Sequence, residues 1–351
     1  MLDVLGEPLA AAIVGLFGGI LLGLAARLGR FCSLGAIEDA LYGGSFGRLR
    51  MWGIAIGTAV AGTFSTYALG WTALEDTIYL SFNWNPLASV FGGLVFGYGM
   101  AMAGTCGFGA LARLGGGDIR SFMIVLVMGL AAYITISGPL AGMRVWVFPQ
   151  EPVIDRVPGI AHFLASAAGL DVAATGIAIG LVLLAISVWD ADILAKPAVI
   201  GWSIVVGLAV VSAWIGTSWI AANGFDAPEV VSHTYAAPLG ETLLFLMISS
   251  GRSISFGVGS VAGVLAGACL GSLIKGSFRW EACEDPRELR RQILGAALMG
   301  IGAAIAMGCT VGQGLSGFSV LAVSAPVTIA AITAGAAVGL WQLIGGFAAS
   351  E

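Results

Sequence analysis

The chain has 351 residues, 58% of them hydrophobic and only 10% charged, and its mean hydropathy is +0.97. Soluble domains carry roughly 25% charged residues, so this composition excludes a water-facing globule and points to a lipid bilayer. A net charge of −5 and a pI near 5.1 exclude the basic face that a nucleic-acid partner requires.

Stretches long enough to cross about 30 Å of hydrocarbon at about 1.5 Å per residue lie at 9–27, 50–71, 86–104, 121–142, 171–189, 198–218, 255–275, 292–308 and 322–345. They predict an all-α polytopic membrane protein of about nine spans. Met1 to Pro8 holds no Lys or Arg, so the first span lacks the basic start of a signal peptide and is expected to remain in the mature protein. Between the spans lie four apolar pieces too short to cross: Phe31 to Tyr42, Cys106 to Arg113, Leu239 to Ser250 and Cys309 to Phe318. These read as re-entrant half-helices, tolerated at membrane depth only where protein or a water-filled cavity satisfies the backbone ends.

Basic residues cluster in alternate connections: Arg27, Arg30, Arg48 and Arg50; Arg113 and Arg120; Lys196; and Lys275, Arg279, Arg287, Arg290 and Arg291. Cytoplasmic loops retain Lys and Arg, which predicts an outer N-terminus and a cytoplasmic C-terminus. Arg144 and Arg156 depart from the pattern, in a loop that also holds Glu151 and Asp155. Trp71, Trp189, Trp202 and Trp219 fall near span ends and read as interfacial anchors. His162 and His233 fall in outer loops and read as surface or structural residues.

A self-match gives the chain its internal organisation. Gly92 to Gly109 reads GGLVFGYGMAMAGTCGFG and Gly295 to Gly312 reads GAALMGIGAAIAMGCTVG. Aligned on the cysteines, Gly92 pairs with Gly295, Gly97 with Gly300, Gly99 with Gly302, Cys106 with Cys309 and Gly109 with Gly312. The abundance of Gly and Ala makes chance the competing explanation. A weaker echo sets Gly29-Arg30 and Ser33-x-Gly35 against Gly251-Arg252 and Ser255-x-Gly257. The alternation of loops makes the two copies run in opposite directions, the inverted-repeat plan of secondary transporters. One transmembrane transport domain is expected, with a first repeat at 1–143, a connection at 144–197 and a second repeat at 198–351.

In each copy a small-residue helix ends in Cys-x-x-Gly, and a short helix follows whose first N–H groups lack intrahelical partners. Two such ends facing one point attract a small anion without a buried cation. A cysteine adds a weak S–H donor and a polarisable sulphur, suited to a sulphur-bearing anion. Cys106 and Cys309 are therefore candidate path residues, with Gly107, Gly109, Thr310, Gly312 and Gln313 as supporting donors. For Gln313 an interhelical hydrogen bond is an equal alternative. Cys32 stands open between a path residue and a small buried hydrophobe. Glu38 and Glu241 lie in short pieces and either carry a coupled proton or cap a neighbouring helix. Cys269 reads as an apolar packing residue and Cys283 as an inert loop thiol beside carboxylates. No C-x-x-C pair and few histidines occur, so neither a metal site nor a cofactor is expected.

The strings Ala103-Gly104-Thr105-Cys106-Gly107-Phe108-Gly109, Gly308-Cys309-Thr310-Val311-Gly312-Gln313-Gly314, Arg30-Phe31-Cys32, Thr234-Tyr235-Ala236-Ala237-Pro238-Leu239 and Phe278-Arg279-Trp280-Glu281 resemble the bacterial YeeE/YedE family of sulphur transporters. The resemblance implies thiosulfate uptake across the inner membrane by an hourglass-shaped protein of nine spans with several short helices. It also implies three path cysteines, mapping onto Cys32, Cys106 and Cys309, and a separate TusA-like sulphur-carrier partner. A persulfide relay enzyme and a passive anion channel are the alternative readings of the same residues.

Overall fold

The computed structural model describes residues 2, 6–153, 157–225, 228–281 and 285–348. Cys283 and Arg156 lie outside the described residues. Every one of the apolar stretches read from the sequence falls on a helix, and no strand occurs among the described residues beyond isolated bridges.

The chain begins with α1 (Glu7–Leu28), the short α2 (Ser33–Leu41) and α3 (Gly47–Ala68). Next come α4 (Pro86–Ala103), the short α5 (Gly107–Gly115) and α6 (Arg120–Ile136). A connecting set holds α7 (Ala141–Val147), α8 (Ile160–Ala168), α9 (Val172–Val188) and α10 (Ala191–Leu194). The remainder is α11 (Pro197–Asn223), the short α12 (Ala237–Ile248), α13 (Phe256–Ile274), α14 (Pro286–Ile305), a π-helical turn (Gly312–Gly317) and α15 (Ser324–Ala348).

Local chemistry sets the boundaries. Asn85 caps α4 by accepting from the Ala88 N–H at 3.2 Å, with Pro86 preset for the first turn, and Gly104 closes the helix at φ 72°. Asp285 caps α14 through the Arg287 N–H at 2.8 Å. That helix starts six residues before the apolar stretch expected at 292, because Arg287, Arg290 and Arg291 lie in its charged but helical first two turns. Helix α6 stops at Ile136 instead of 142, where Ser137-Gly138-Pro139 breaks the ladder and α7 departs at 63°.

By length and apolarity, five helical stretches suffice to cross a membrane: Glu7–Leu41, Pro86–Gly115, Pro197–Asn223, Phe256–Ile274 and Ser324–Ile344. Counting α6 with α7 and α8 with α9 as bent spans raises the number to seven. The protein is thus a multi-pass, all-helical membrane protein.

Packing follows a regular scheme. Helix α1 lies against α13, and α11 against α3; α4 lies against α15, and α14 against α6. The short α2 touches α3 and α15, while α12 touches α13 and α6; α5 touches α13 and α6, while the π turn touches α3 and α15. Helices α1 and α11 meet each other, and so do α4 and α14.

The α4–α14 contact shows why glycine recurs. A Cβ on Gly99 would stand 2.5 Å from the Gly295 carbonyl oxygen, and one on Gly302 would stand 2.6 Å from that of Gly92. With no hydrophobic drive between helices in lipid, such backbone-to-backbone approach supplies the dispersion contact that holds them. Gly92 meets Gly302 while Gly99 meets Gly295, so the two helices cross antiparallel.

Candidate functional site

Cys32, Cys106 and Cys309 occupy one structural position, the residue that caps a short helical segment. The Cys32 sulphur accepts from the Gly35 N–H at 3.5 Å, Cys106 from Gly109 at 3.3 Å and Cys309 from Gly312 at 3.4 Å. Cys32 and Cys106 have the extended backbone of an N-cap, and their segments continue into α2 and α5. Because sulphur serves as the acceptor here, each S–H proton stays available to donate elsewhere. The N–H groups of the first turn that the cap does not reach stay free for an external acceptor.

The segment Ser232-His233-Thr234-Tyr235 brings two of these motifs together. The Tyr235 N–H donates to Cys309 Sγ at 3.4 Å, and Thr234 Oγ1 lies 3.7 Å from the same sulphur. The Tyr235 ring packs at 5.3 Å from that of Phe108, inside the Cys106 motif. Cys106 and Cys309 are each 1% exposed, whereas Cys32 is half-buried. Crowding fixes the glycines: a Cβ at Gly107 would stand 2.6 Å from Met128 Sδ, and one at Gly312 2.5 Å from Thr234 Oγ1. The fourth short helix, α12, follows Ala236 and has no side-chain cap.

His233 sits in this segment and is fully buried, so it is not a surface residue. Its Nδ1 lies 2.7 Å from Ser260 Oγ, which donates to the Tyr235 hydroxyl at 3.0 Å. His233→Ala leaves the buried Ser260 hydroxyl without its imidazole partner. The expected cost is about 2 kcal/mol, measured as a lower melting temperature of the detergent-solubilised protein.

Two cavities open at opposite ends of α1. One, of about 690 Å³, is lined near its N-terminal end by Glu7 and Ala11, and by Tyr79, Thr234, Glu241 and Ser255. The other, of about 490 Å³, is lined by Arg27 and Arg30 at the far end of α1 and by Cys32, Gly35 and Gly109. The buried pair Cys106 and Cys309 lines neither cavity.

A family model described as sulphur transport matches residues 28–338. The chain belongs to the sulphur transport family. Among similar proteins are two named thiosulfate transporter TsuA. The one from Spirochaeta thermophila is 26% identical over 323 residues, covering 88% of this chain and 92% of the relative. The one from Escherichia coli is 27% identical over 320 residues, covering 86% of each. All three capping cysteines fall inside the matched sulphur transport segment.

The other sequence-predicted residues of this sulphur transport chain take distinct places. Gln313 donates to the carbonyls of Ala306 at 2.9 Å and Met307 at 3.3 Å, and accepts from Ser324 at 3.2 Å. It ties down the free carbonyls at the end of α14, and its amide group is occupied. Thr310 is 3% exposed, and its hydroxyl has no hydrogen-bond partner among the described residues. Glu241 accepts from Ser255, the N-cap of α13, at 2.9 Å. Glu38 lines the smaller cavity. Sequence reasoning did not place Thr234, Tyr235 and Ser260 among the candidate site residues, although they contact Cys309 and His233. The available signal was the polar run Ser232 to Tyr235 directly before a proline-started apolar helix.

Proposed function

We propose that this protein carries thiosulfate across the membrane, handing the anion between the capping thiols of Cys32, Cys106 and Cys309. The observation that carries this reading is the shared cap: three free sulphurs at the starts of short helical segments, two of them buried between opposite cavities. The likeness to proteins named thiosulfate transporter supports it. The first-turn N–H groups that the caps leave free, those of Gly107 and Thr310 among them, bind the oxygens, and the S–H groups meet the terminal sulphur; the N–H groups of Gly109 and Gly312 hold the cap sulphurs in place. In this reading Gln313 holds the end of α14 in register, and Glu38 and Glu241 are the candidate proton carriers.

Passage without covalent chemistry is favoured over a persulfide relay. The described groups that hydrogen-bond Cys309 are two backbone N–H groups and a threonine hydroxyl, none of them a base.

The architecture we infer is nine spans, with α2, α5, α12 and the segment around the π turn re-entrant, and inverted repeats at 1–143 and 198–351 joined by 144–197. Two features support it. Exchanging α1 with α11, α2 with α12, α3 with α13, α4 with α14, α5 with the π turn and α6 with α15 returns the same packing partners. The crossing pairs Gly92–Gly302 and Gly99–Gly295 also exchange under the Gly92-to-Gly295 alignment, as a two-fold axis in the membrane plane requires. The arginine-lined cavity is assigned to the cytoplasmic side of a bacterial inner membrane, with the N-terminus outside. A separate TusA-like carrier would receive the anion there.

The test is uptake of labelled thiosulfate by proteoliposomes holding the purified protein, with sulfate as competitor and with or without a proton gradient. Saturable uptake above protein-free vesicles, resistant to equal sulfate, is expected; no uptake above that background overturns the reading. Accumulation that requires the proton gradient distinguishes a coupled carrier from a channel.

A further inference from the structure

The smaller cavity holds more cationic charge than its neighbours neutralise. Arg27, Arg30, Arg48, Arg113 and Lys275 line it, against the single lining carboxylate of Glu38. Three of these cations have other work: Arg27 Nε donates to Ser272 Oγ at 2.6 Å, Arg48 Nε pairs with Asp39 at 3.3 Å and Lys275 Nζ donates to the Arg27 carbonyl at 2.8 Å. Arg30 and Arg113 form no ion pair among the described residues. The Arg48 guanidinium lies over the first turn of α2, close enough that a Cβ on Gly35 would collide with it. The same turn is capped by Cys32, which also lines the cavity.

We propose that this cavity is a second anion subsite, separate from the buried cysteines, that binds a tetrahedral divalent oxyanion and accepts sulfate as well as thiosulfate. Arg30, Arg48 and Arg113 bind the oxygens by charge-assisted hydrogen bonds, in a recess whose walls concentrate the field. A thiosulfate held there turns its terminal sulphur to Cys32; a sulfate occupies the same cations without that contact. Selection for sulphur therefore belongs to the buried thiols, and the arginine cavity retains and releases anions. The inference rests on the transport reading and adds to it that sulfate on this side competes for the release site.

The test reads occupancy directly. The full-length protein is alkylated with N-ethylmaleimide while sodium sulfate replaces sodium chloride at constant ionic strength, and modification of Cys32 and Cys269 is followed by peptide mass. Sulfate is expected to slow alkylation of Cys32 saturably and to leave Cys269, which does not line the cavity, unchanged. Arg113→Gln is expected to raise the half-protecting sulfate concentration about tenfold, the loss of one charge-assisted contact. Equal Cys32 rates in sulfate and chloride overturn the proposal, leaving the cations as orientation signals only. Sulfate protection undiminished by both Arg113→Gln and Arg30→Gln overturns it as well. Thiosulfate uptake is measured on the same preparation: intact uptake without protection removes this subsite alone, and absent uptake removes the transport reading.

Discussion

Cys309→Ala is expected to lower thiosulfate uptake by about tenfold or more, because three hydrogen-bonding groups converge on the sulphur it removes. The N–H groups of Gly312 and Tyr235, each at 3.4 Å, lose their acceptor, and the Thr234 hydroxyl at 3.7 Å loses its partner. A buried donor left without a partner costs about 1–3 kcal/mol, enough to release Tyr235 from its place against Phe108. Cys309→Ser separates the two roles of the residue. Its oxygen still accepts from the same donors, so the melting temperature should stay near that of the parent protein. The soft contact to a terminal sulphur is gone, so thiosulfate uptake should still fall, by less than in the alanine variant. Labelled uptake and thermal unfolding measured on both variants check this. Parent-like uptake in Cys309→Ala would take the cysteine out of the path.

Gly302→Leu is expected to cost the folded state about 3 kcal/mol or more, through overpacking at a backbone crossing. A Cβ at this position would stand 2.5 Å from the Phe96 nitrogen and 2.6 Å from the Gly92 carbonyl oxygen, and backbone atoms have no rotamer by which to yield. Helices α4 and α14 must then separate, which displaces the starts of both cysteine motifs that follow them. The measurement is recovery of monodisperse protein and its melting temperature in detergent. Gly201→Leu is the control, since a Cβ there meets nothing within 4 Å. Equal melting temperatures for the two variants would refute the crossing.

Much of this architecture was legible in the residues, because hydropathy and small-residue patterns report directly what lipid and close helix packing demand. The short piece from Phe31 to Tyr42 is realised as α2, and that from Leu239 to Ser250 as α12, displaced by two residues because Pro238 starts the helix. Capping by Cys32, Cys106 and Cys309 was half-legible. The Cys-x-x-Gly spacing was visible, but Gly109 and Gly312 read as donors to an anion, whereas their N–H groups donate to the cap sulphurs. The echo between 29–35 and 251–257 does not align structurally: Ser255 is the cap of α13, while Ser33 is the first residue of α2. Segment 228–236 was illegible. Its polar residues resemble an outer loop, and burial of His233 depends on α1 and α13 approaching from far along the chain, through Gly18 and Ser260. A hydropathy window has no access to such long-range enclosure.

Three of the four short helical segments start from a sulphur cap, and the fourth follows Ala236. On the proposed path a sulphur anion would therefore cross a lopsided free-energy profile, with a thiol at the arginine-lined cavity and none at the other. Microscopic reversibility denies such a profile any power to pump: uneven barriers speed or slow both directions together. On that path, what the missing fourth thiol would set is turnover and the concentration at which each mouth saturates. Net import must then draw on work from outside the pore, whether consumption of the anion after release or the gradient of a second ion.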